Sequence, residues 1–196
     1  LLHQASYVPV GKDQEQHLEM TRNFAQRFNH RYGDVFPEPM AFNFGETLLK
    51  VPSLDGTGKM SKSENQMATL YLADDDESIR KKLMKAVTGE APAEKNSVMP
   101  DSVANLFLLM ELVSTQEVIA QYKNDYSNCR IRFGDMKKQL AEDMVKFIAP
   151  IRQKANSILA DENYLEKIMR QGADKARKSA NASMELVRQA MGLKYF

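Results

Sequence analysis

Apolar side chains return every three or four positions through most of the chain, and only a few short stretches alternate. The longest run uses Leu140, Met144, Phe147, Ile148, Ile151, Ala155, Ile158 and Leu159, which predicts about five turns of amphipathic helix with a kink at Pro150. A second predicted helix, from about Glu162 to Met191, carries Leu165, Ile168, Met169, Ala176, Ala180, Met184, Val187 and Met191, with Gly192 as a natural residue after its end. Val103–Val113 is apolar almost all round and predicts a mostly buried helix. Ser114-x-x-Glu117 reads as a capping box opening another helix through about Tyr122, followed by a polar loop from Asn124 to Phe133. Nearer the start, Leu18, Thr21, Phe24, Ala25 and Phe28 share one helical face that ends near Asn29. Ile79, Leu83, Ala86 and Val87 share another, with Asp74-Asp75-Asp76-Glu77 at its N-terminus and Arg80, Lys81, Lys82 and Lys85 later, as the helix dipole favours. Three adjacent aspartates project in divergent directions, so that cluster reads as a cap rather than a metal site.

Strand signals are few and lie in the first 73 residues. Ser6–Gly11 alternates, with Val8 and Val10 on one face; Phe42-Asn43-Phe44, Leu48-Leu49 and Thr69-Leu70-Tyr71-Leu72 are shorter. The predicted fold class is mostly α with a small α/β part. A linker from Gly89 to Pro100, with Pro92 and Pro100, marks the change to all-helical character. Strand, Gly11 and a helix start at Asp13, with Gln16 three residues on, describe the crevice where open α/β sheets bind ligands. The same pattern also occurs in units that bind nothing.

One stretch departs from these patterns. Asp55-Gly56-Thr57-Gly58-Lys59-Met60-Ser61-Lys62-Ser63-Glu64-Asn65 combines two glycines, two lysines three apart and several hydroxyls. Ammonium charges and hydroxyl donors on a pliable loop suit the enclosure of phosphate groups, although composition alone equally describes a solvated surface loop.

Composition narrows the remaining options. With 43% hydrophobic and 27% charged residues, the 196-residue chain is ordinary for a water-soluble globular fold, and its most apolar window, Val103–Val113, is far short of the ~20 residues of a membrane span. A single cysteine, Cys129, leaves no intrachain disulfide or multi-cysteine metal site and fits a reducing cytoplasm. Net charge is +1, but residues 1–100 carry 12 basic against 14 acidic side chains and residues 101–196 carry 15 against 12. That mild basic bias is compatible with nucleic acid and equally with solvated helix faces. His3, His17 and His30 form no catalytic set with a serine or carboxylate.

Lys59-Met60-Ser61-Lys62-Ser63 matches in every position the K-M-S-K-S loop of class I aminoacyl-tRNA synthetases, and Val8-Pro9-Val10-Gly11-Lys12-Asp13-Gln14-Glu15-Gln16-His17 resembles the V-P-V-G-x-D-Q-x-Q-H stretch of the bacterial tryptophan-specific branch. Tyrosine-specific relatives carry a different, G-S-D-Q-like version. The resemblance continues through Arg22 and Tyr32-Gly33 to Met191-Gly192-Leu193. It implies the C-terminal part of a Rossmann-like nucleotide-binding domain (residues 1–73) followed by a helical anticodon-binding bundle (residues 74–196), with the last helix free to pack back on the first domain. It further implies that Lys59, Lys62 and Ser61 stabilise the leaving pyrophosphate. Gly11, Asp13, Lys59, Met60, Ser61, Lys62 and Ser63 would bind ATP, and Val8, Val10 and Gln14 would line a tryptophan pocket. Asp13 as a plain helix cap and the valines as sheet filler remain open beside these roles.

By the same resemblance ATP with Mg²⁺, tryptophan and tRNA are the expected partners, no membrane is involved, and the full-length enzyme is a cytoplasmic homodimer. Arg130, Arg132, Lys137 and Lys138 are the expected tRNA contacts. The H-I-G-H-type loop and the indole-reading aspartate of the family are absent from this sequence, so the chain is expected to be a C-terminal part, inactive by itself. Two alternatives stand: an autonomous helical RNA-binding module, and a synthetase-like nucleotidyl transferase for another amino acid such as tyrosine.

Overall fold

The computed structural model of the chain describes residues 1–42, 50–56, 58–61 and 65–193. Their backbone forms two compact units, Leu1–Leu49 with Asp161–Phe196, and Lys50–Ala160.

The first unit is built on a strand–helix–strand crossover. Strand β1 (Tyr7–Pro9) leads through a short 3₁₀ turn (Lys12–Gln14) into helix α1 (Glu15–Tyr32), and strand β2 (Met40–Phe42) returns parallel to β1. The register pairs Tyr7 with Met40, Val8 with Ala41 and Pro9 with Phe42. Pro9 offers no N–H, and the ladder continues around it through Met40 N–H to Ser6 O and Val10 N–H to Phe42 O. Gly33 ends α1 in the left-handed region at φ 97°. Asn29 then fastens the return loop, accepting from the Val35 and Phe36 N–H groups and donating to Phe36 O.

Only Leu18 and Ala25 of α1 are buried. Phe24, expected on the buried face, is exposed together with Met20, Tyr7, Met40 and Phe42. β2 begins two residues before the Phe42–Phe44 stretch; Asn43, Phe44, Leu48 and Leu49 lie outside the described residues. Helix α6 (Glu162–Ala190) also belongs to this unit, capped by the Asp161 carboxylate on Tyr164 N–H, with Gly192 left-handed just past its end. It buries Ser183 and Val187, and Ser179 Oγ lies 3.2 Å from His3 Nδ1. Ile168 and Met169, expected in its buried stripe, are exposed.

The second unit holds the main core. Helices α2 (Asp76–Met84), α3 (Asp101–Val113), α4 (Gln116–Ser127) and α5 (Phe133–Leu159) bury Ile79 and Leu83, Val103, Leu106, Leu109 and Met110, Ile119, and Met136, Leu140, Met144 and Ile148 against one another. α2 packs most extensively on α5. The acidic run does cap α2: Asp75 accepts from Ser78 N–H at 2.7 Å, and that bond holds its carboxyl below the usual range. Across the α2–α5 contact Arg80 grips Glu142 with two bonds, at 2.7 and 3.0 Å, which raises the guanidinium pKa and lowers that of the carboxyl.

Five expectations change in this unit. Thr115, not Ser114, caps α4, because Ser114 ends α3 and turns its hydroxyl to Asp143 at 2.7 Å. α4 also runs five residues past Tyr122, and the expected long loop shrinks to 128–132. Thr69–Leu72 is no strand; Asp74 folds it into a turn by accepting from Tyr71 N–H while Asp74 N–H bonds Tyr71 O. Val87 lies beyond α2 and is half exposed, its N–H bonded to Leu54 O. α5 runs through Pro150, but its burial stops near Ile148, leaving Phe147, Ile151 and Leu159 exposed. Among the described residues no helix is long and apolar enough to cross a membrane.

Candidate active site

The turn after β1 belongs to the first unit. Gly11 is extended and opens the 3₁₀ turn, closed by Gln14 N–H on Gly11 O at 2.9 Å. Asp13 does not cap α1. The turn starts one residue pair earlier than a cap at Asp13 would need, so Gln14 occupies the cap position and uses no side-chain bond there. The exposed Asp13 carboxylate leans back over Gly11, where an added Cβ would meet its Oδ1 at 2.8 Å. Gly11 thus keeps a lane open between the strand end and a carboxylate. Val8 and Val10 are half-buried beside it, and Gln14 Oε1 accepts from His17 Nδ1 at 3.1 Å.

The lysine loop belongs to the second unit and starts as a hairpin. Pro52 pairs antiparallel with Lys59, Met60 N–H bonds Val51 O at 2.9 Å, and Ser53 N–H bonds Gly58 O at 2.8 Å. Gly56 (φ 77°) and Gly58 (φ 132°) make the reversal, at angles that side-chain-bearing residues rarely adopt. The base is anchored from below: Leu54 N–H bonds Ala68 O, and Ser53 Oγ reaches Asp55 Oδ1 and Ala68 O. Lys59 stands exposed on this hairpin while Met60 and Ser61 are half-buried. Lys62 and Ser63 lie outside the described residues.

Two hollows flank the hairpin. One, of about 470 Å³, is lined by Met60, Ser61, Thr69, Leu70, Tyr71, Leu72 and Ala73; the other, of about 340 Å³, by Lys50, Pro52, Gly58, Lys59, Asn105 and Leu108. An exposed ammonium beside mostly apolar walls can meet an anionic group while a flat apolar one packs nearby.

The four expected nucleic-acid contacts gather where α4 gives way to α5. Cys129 takes a left-handed conformation there (φ 56°), and Arg130 N–H bonds Asp125 O at 2.8 Å. Arg130 is largely exposed, its guanidinium 3.7 Å from Asp125, while Arg132 occupies the cap position of α5. Lys138 is exposed, but Lys137 is half-buried and desolvation lowers its ammonium pKa.

Sequence reading missed the support under the loop. Thr69 Oγ1 donates to Ser61 O at 3.1 Å, Leu70 N–H lies 3.5 Å from Met60 Sδ, and the buried Lys82 holds the same segment. The signal that could have found it was spacing, since Ile79, Lys82, Leu83 and Ala86 form one i, i+3, i+4, i+7 stripe.

A parallel strand–helix–strand unit with a glycine turn, and a lysine hairpin on its own anchored base, define a Rossmann-like protein of the class I synthetase fold. Residues 1–149 match the family model described as tRNA synthetases class I (W and Y). The chain belongs to that family. It is 52% identical over 195 residues to the tryptophan–tRNA ligase of Porphyromonas gingivalis, covering 99% of this chain and 59% of the relative. It is 35% identical over 196 residues to that of Chlamydia caviae, covering 98% and 55%. The crystal structure of tryptophanyl-tRNA synthetase from Campylobacter jejuni, complexed with ADP and tryptophan, superposes with a TM-score of 0.80 at 29% identity, covering 98% of this chain and 59% of that one. The chain thus spans rather more than half the length of the relatives it matches.

Proposed function

We propose that this chain is the C-terminal part of a tryptophan–tRNA ligase, which joins tryptophan to ATP as an adenylate and passes it to tRNA. The exposed Lys59 on an anchored hairpin, inside a motif identical to that of the class I synthetases, carries the reading. Relatives named for the tryptophan enzyme match 98–99% of the chain, which favours this reading over an autonomous helical module.

In this reaction the tryptophan carboxylate attacks the α-phosphate and pyrophosphate leaves. Charge grows on the leaving oxygens, so fixed cations near them lower the barrier. Lys59 and Lys62 take that role, with Ser61 and Ser63 as hydroxyl donors and Met60 as an apolar wall for the nucleotide. Asp13 accepts from the ribose hydroxyls, Gly11 lets the nucleotide approach, and Val8, Val10 and Gln14 contact tryptophan. Among the described residues no cluster of three or more His, Cys, Asp or Glu is arranged around a metal. By the family resemblance Mg²⁺ would arrive with ATP, where it would offset the charge of the phosphates.

Residues 1–73 then serve the nucleotide and residues 74–196 the tRNA, a functional division that crosses the compact units. The homodimer and the cytoplasmic setting follow the family resemblance. The deciding assay is amino-acid-dependent ATP–pyrophosphate exchange by the natural polypeptide that carries this sequence. Exchange is expected with tryptophan and not with tyrosine; equal exchange with tyrosine, or none with either, overturns the assignment.

The tRNA contacts are proposed at Arg130, Arg132, Lys137 and Lys138, which gather at the irregular junction of α4 and α5, rather than along the regular basic face of α6. Replacing Arg130 and Arg132 together by alanine should flatten the log–log salt dependence of tRNA binding by about one unit for each phosphate no longer neutralised. The Lys175/Lys178 double alanine variant should leave it unchanged. Titration of tRNA at several salt concentrations compares the two, and an unchanged slope for the arginine pair would move the interface elsewhere.

A further inference from the structure

Lys82 sits on the buried face of α2 between Ile79 and Leu83, and it is only 8% exposed. A lysine is rarely buried so far, because taking an ammonium out of water is costly unless its donors are satisfied. Here they are. Nζ donates to Thr69 O at 2.9 Å and to Asp74 Oδ2 at 2.6 Å, and it lies 4.8 Å from the centre of the Tyr71 ring. Asp74 Oδ2 accepts from Tyr71 N–H as well, and the Arg152 guanidinium bonds both Asp74 O and the Asp76 carboxylate. The whole segment from Thr69 to Asp74 is therefore wrapped around one cation.

That segment touches the lysine loop directly. Thr69, 5% exposed, gives its carbonyl to Lys82 and its hydroxyl proton to Ser61 O at 3.1 Å. Leu70 N–H approaches Met60 Sδ. A methionine at position 82 would fill much the same volume, but it would leave the part-buried Asp74 carboxylate without its cation, the costly way to break such a pair. What the ammonium supplies and a thioether cannot is a fixed direction for the Thr69 carbonyl, and hence for the hydroxyl that holds Ser61.

We propose that Lys82 and Thr69 are positioning residues for the lysine loop: the buried ammonium fixes Thr69, and the Thr69 hydroxyl sets where the chain leaves the hairpin at Ser61. The proposal rests on the adenylate-forming reading for its effect on rate, while the anchor itself is testable without any activity. Displacing a catalytic group by about 1 Å can lower a rate by as much as ~10²-fold.

The experiment uses Thr69→Val, Thr69→Ser and Lys82→Met in the natural polypeptide. Timed trypsin digestion of the folded protein reads cleavage after Lys59. Thr69→Val and Lys82→Met should be cut there several-fold faster, and Thr69→Ser at the parent rate. In tryptophan-dependent exchange the two disruptive variants should lose about 10- to 100-fold in kcat with KM for tryptophan unchanged, and Thr69→Ser should restore it. Parent-like cleavage and parent-like kcat in Thr69→Val overturn the proposal. So does a Thr69→Val protein whose kcat and melting temperature fall while its tryptophan KM rises, since that describes plain destabilisation. If Lys82→Met does not fold, Thr69→Val against Thr69→Ser decides. Faster cleavage of Thr69→Val and Lys82→Met, when the parent protein shows no exchange with any amino acid, upholds the anchor and rejects the adenylate reading.

Discussion

Lys59→Ala should slow the proposed tryptophan activation by about 10²–10³-fold, the usual loss when one preorganised donor to a developing charge is removed. The side chain is exposed on the hairpin, while its backbone holds the bridge to Pro52, so alanine takes away the ammonium and leaves the fold of the loop in place. Pyrophosphate gains charge only as its bond to the α-phosphate breaks, and a cation that meets it then stabilises the transition state more than the bound substrates. The deficit should accordingly fall on kcat, with tryptophan binding in the absence of ATP unchanged. Lys59→Arg keeps the charge but spreads it over a planar fork, so it should recover only part of the rate. Exchange kinetics alongside equilibrium tryptophan titration separate these effects. An equal loss of tryptophan affinity would make Lys59 a structural residue of the hairpin.

Residue types and spacing carried the reading of this site because its chemistry sits in a contiguous run. The role proposed for Lys59 to Ser63 is read from a contiguous motif, whereas the Gly11–Asp13 turn was expected to have Asp13 as a helix cap and instead puts Gln14 at the cap of α1. The anchor beneath the loop is different. It joins Ser61, Thr69, Asp74 and Lys82, spread over 22 positions, by hydrogen bonds that leave no local pattern. Lys82 read as one more surface cation on a helix with a favourable dipole, although its place in the apolar stripe of α2 held the contrary signal.

Helices were legible wherever a stripe met a core in its own compact unit, as Leu140, Met144 and Ile148 do in α5. The same stripe continues to Leu159, and there periodicity overstates burial, since it records amphipathicity and not a partner. The boundary errors have tertiary causes. Ser114 and Thr115 are adjacent hydroxyls, both able to cap, and the choice between them is made by Asp143, 29 residues away. Thr69–Leu72 has the residue types of a strand, but Lys82 and Asp74 consume the polar groups a neighbouring strand would have paired.

Leu83→Ala should destabilise the Lys50–Ala160 unit by about 2–5 kcal/mol, the range for truncating a fully buried leucine. Leu83 has no exposed surface and sits in the shared core with Leu140 and Met144 of α5, both buried, so the space left by its isobutyl group cannot be filled by water or by a simple rotamer change. Val87, grouped with Leu83 by spacing, is 46% exposed beyond the end of α2. Val87→Ala should therefore stay within about 0.5 kcal/mol of the parent. Urea unfolding followed by far-ultraviolet circular dichroism compares the two variants at equal slope. Similar losses for both would mean that the stripe, and not the observed end of α2, describes how this helix packs. The result also bears on activity, because α2 carries Lys82 one residue before Leu83 and so supports the Thr69–Asp74 segment under the lysine loop. A cavity at Leu83 that loosens α2 against α5 should lower the exchange rate at temperatures where most of the protein is still folded, and the rate should recover on cooling.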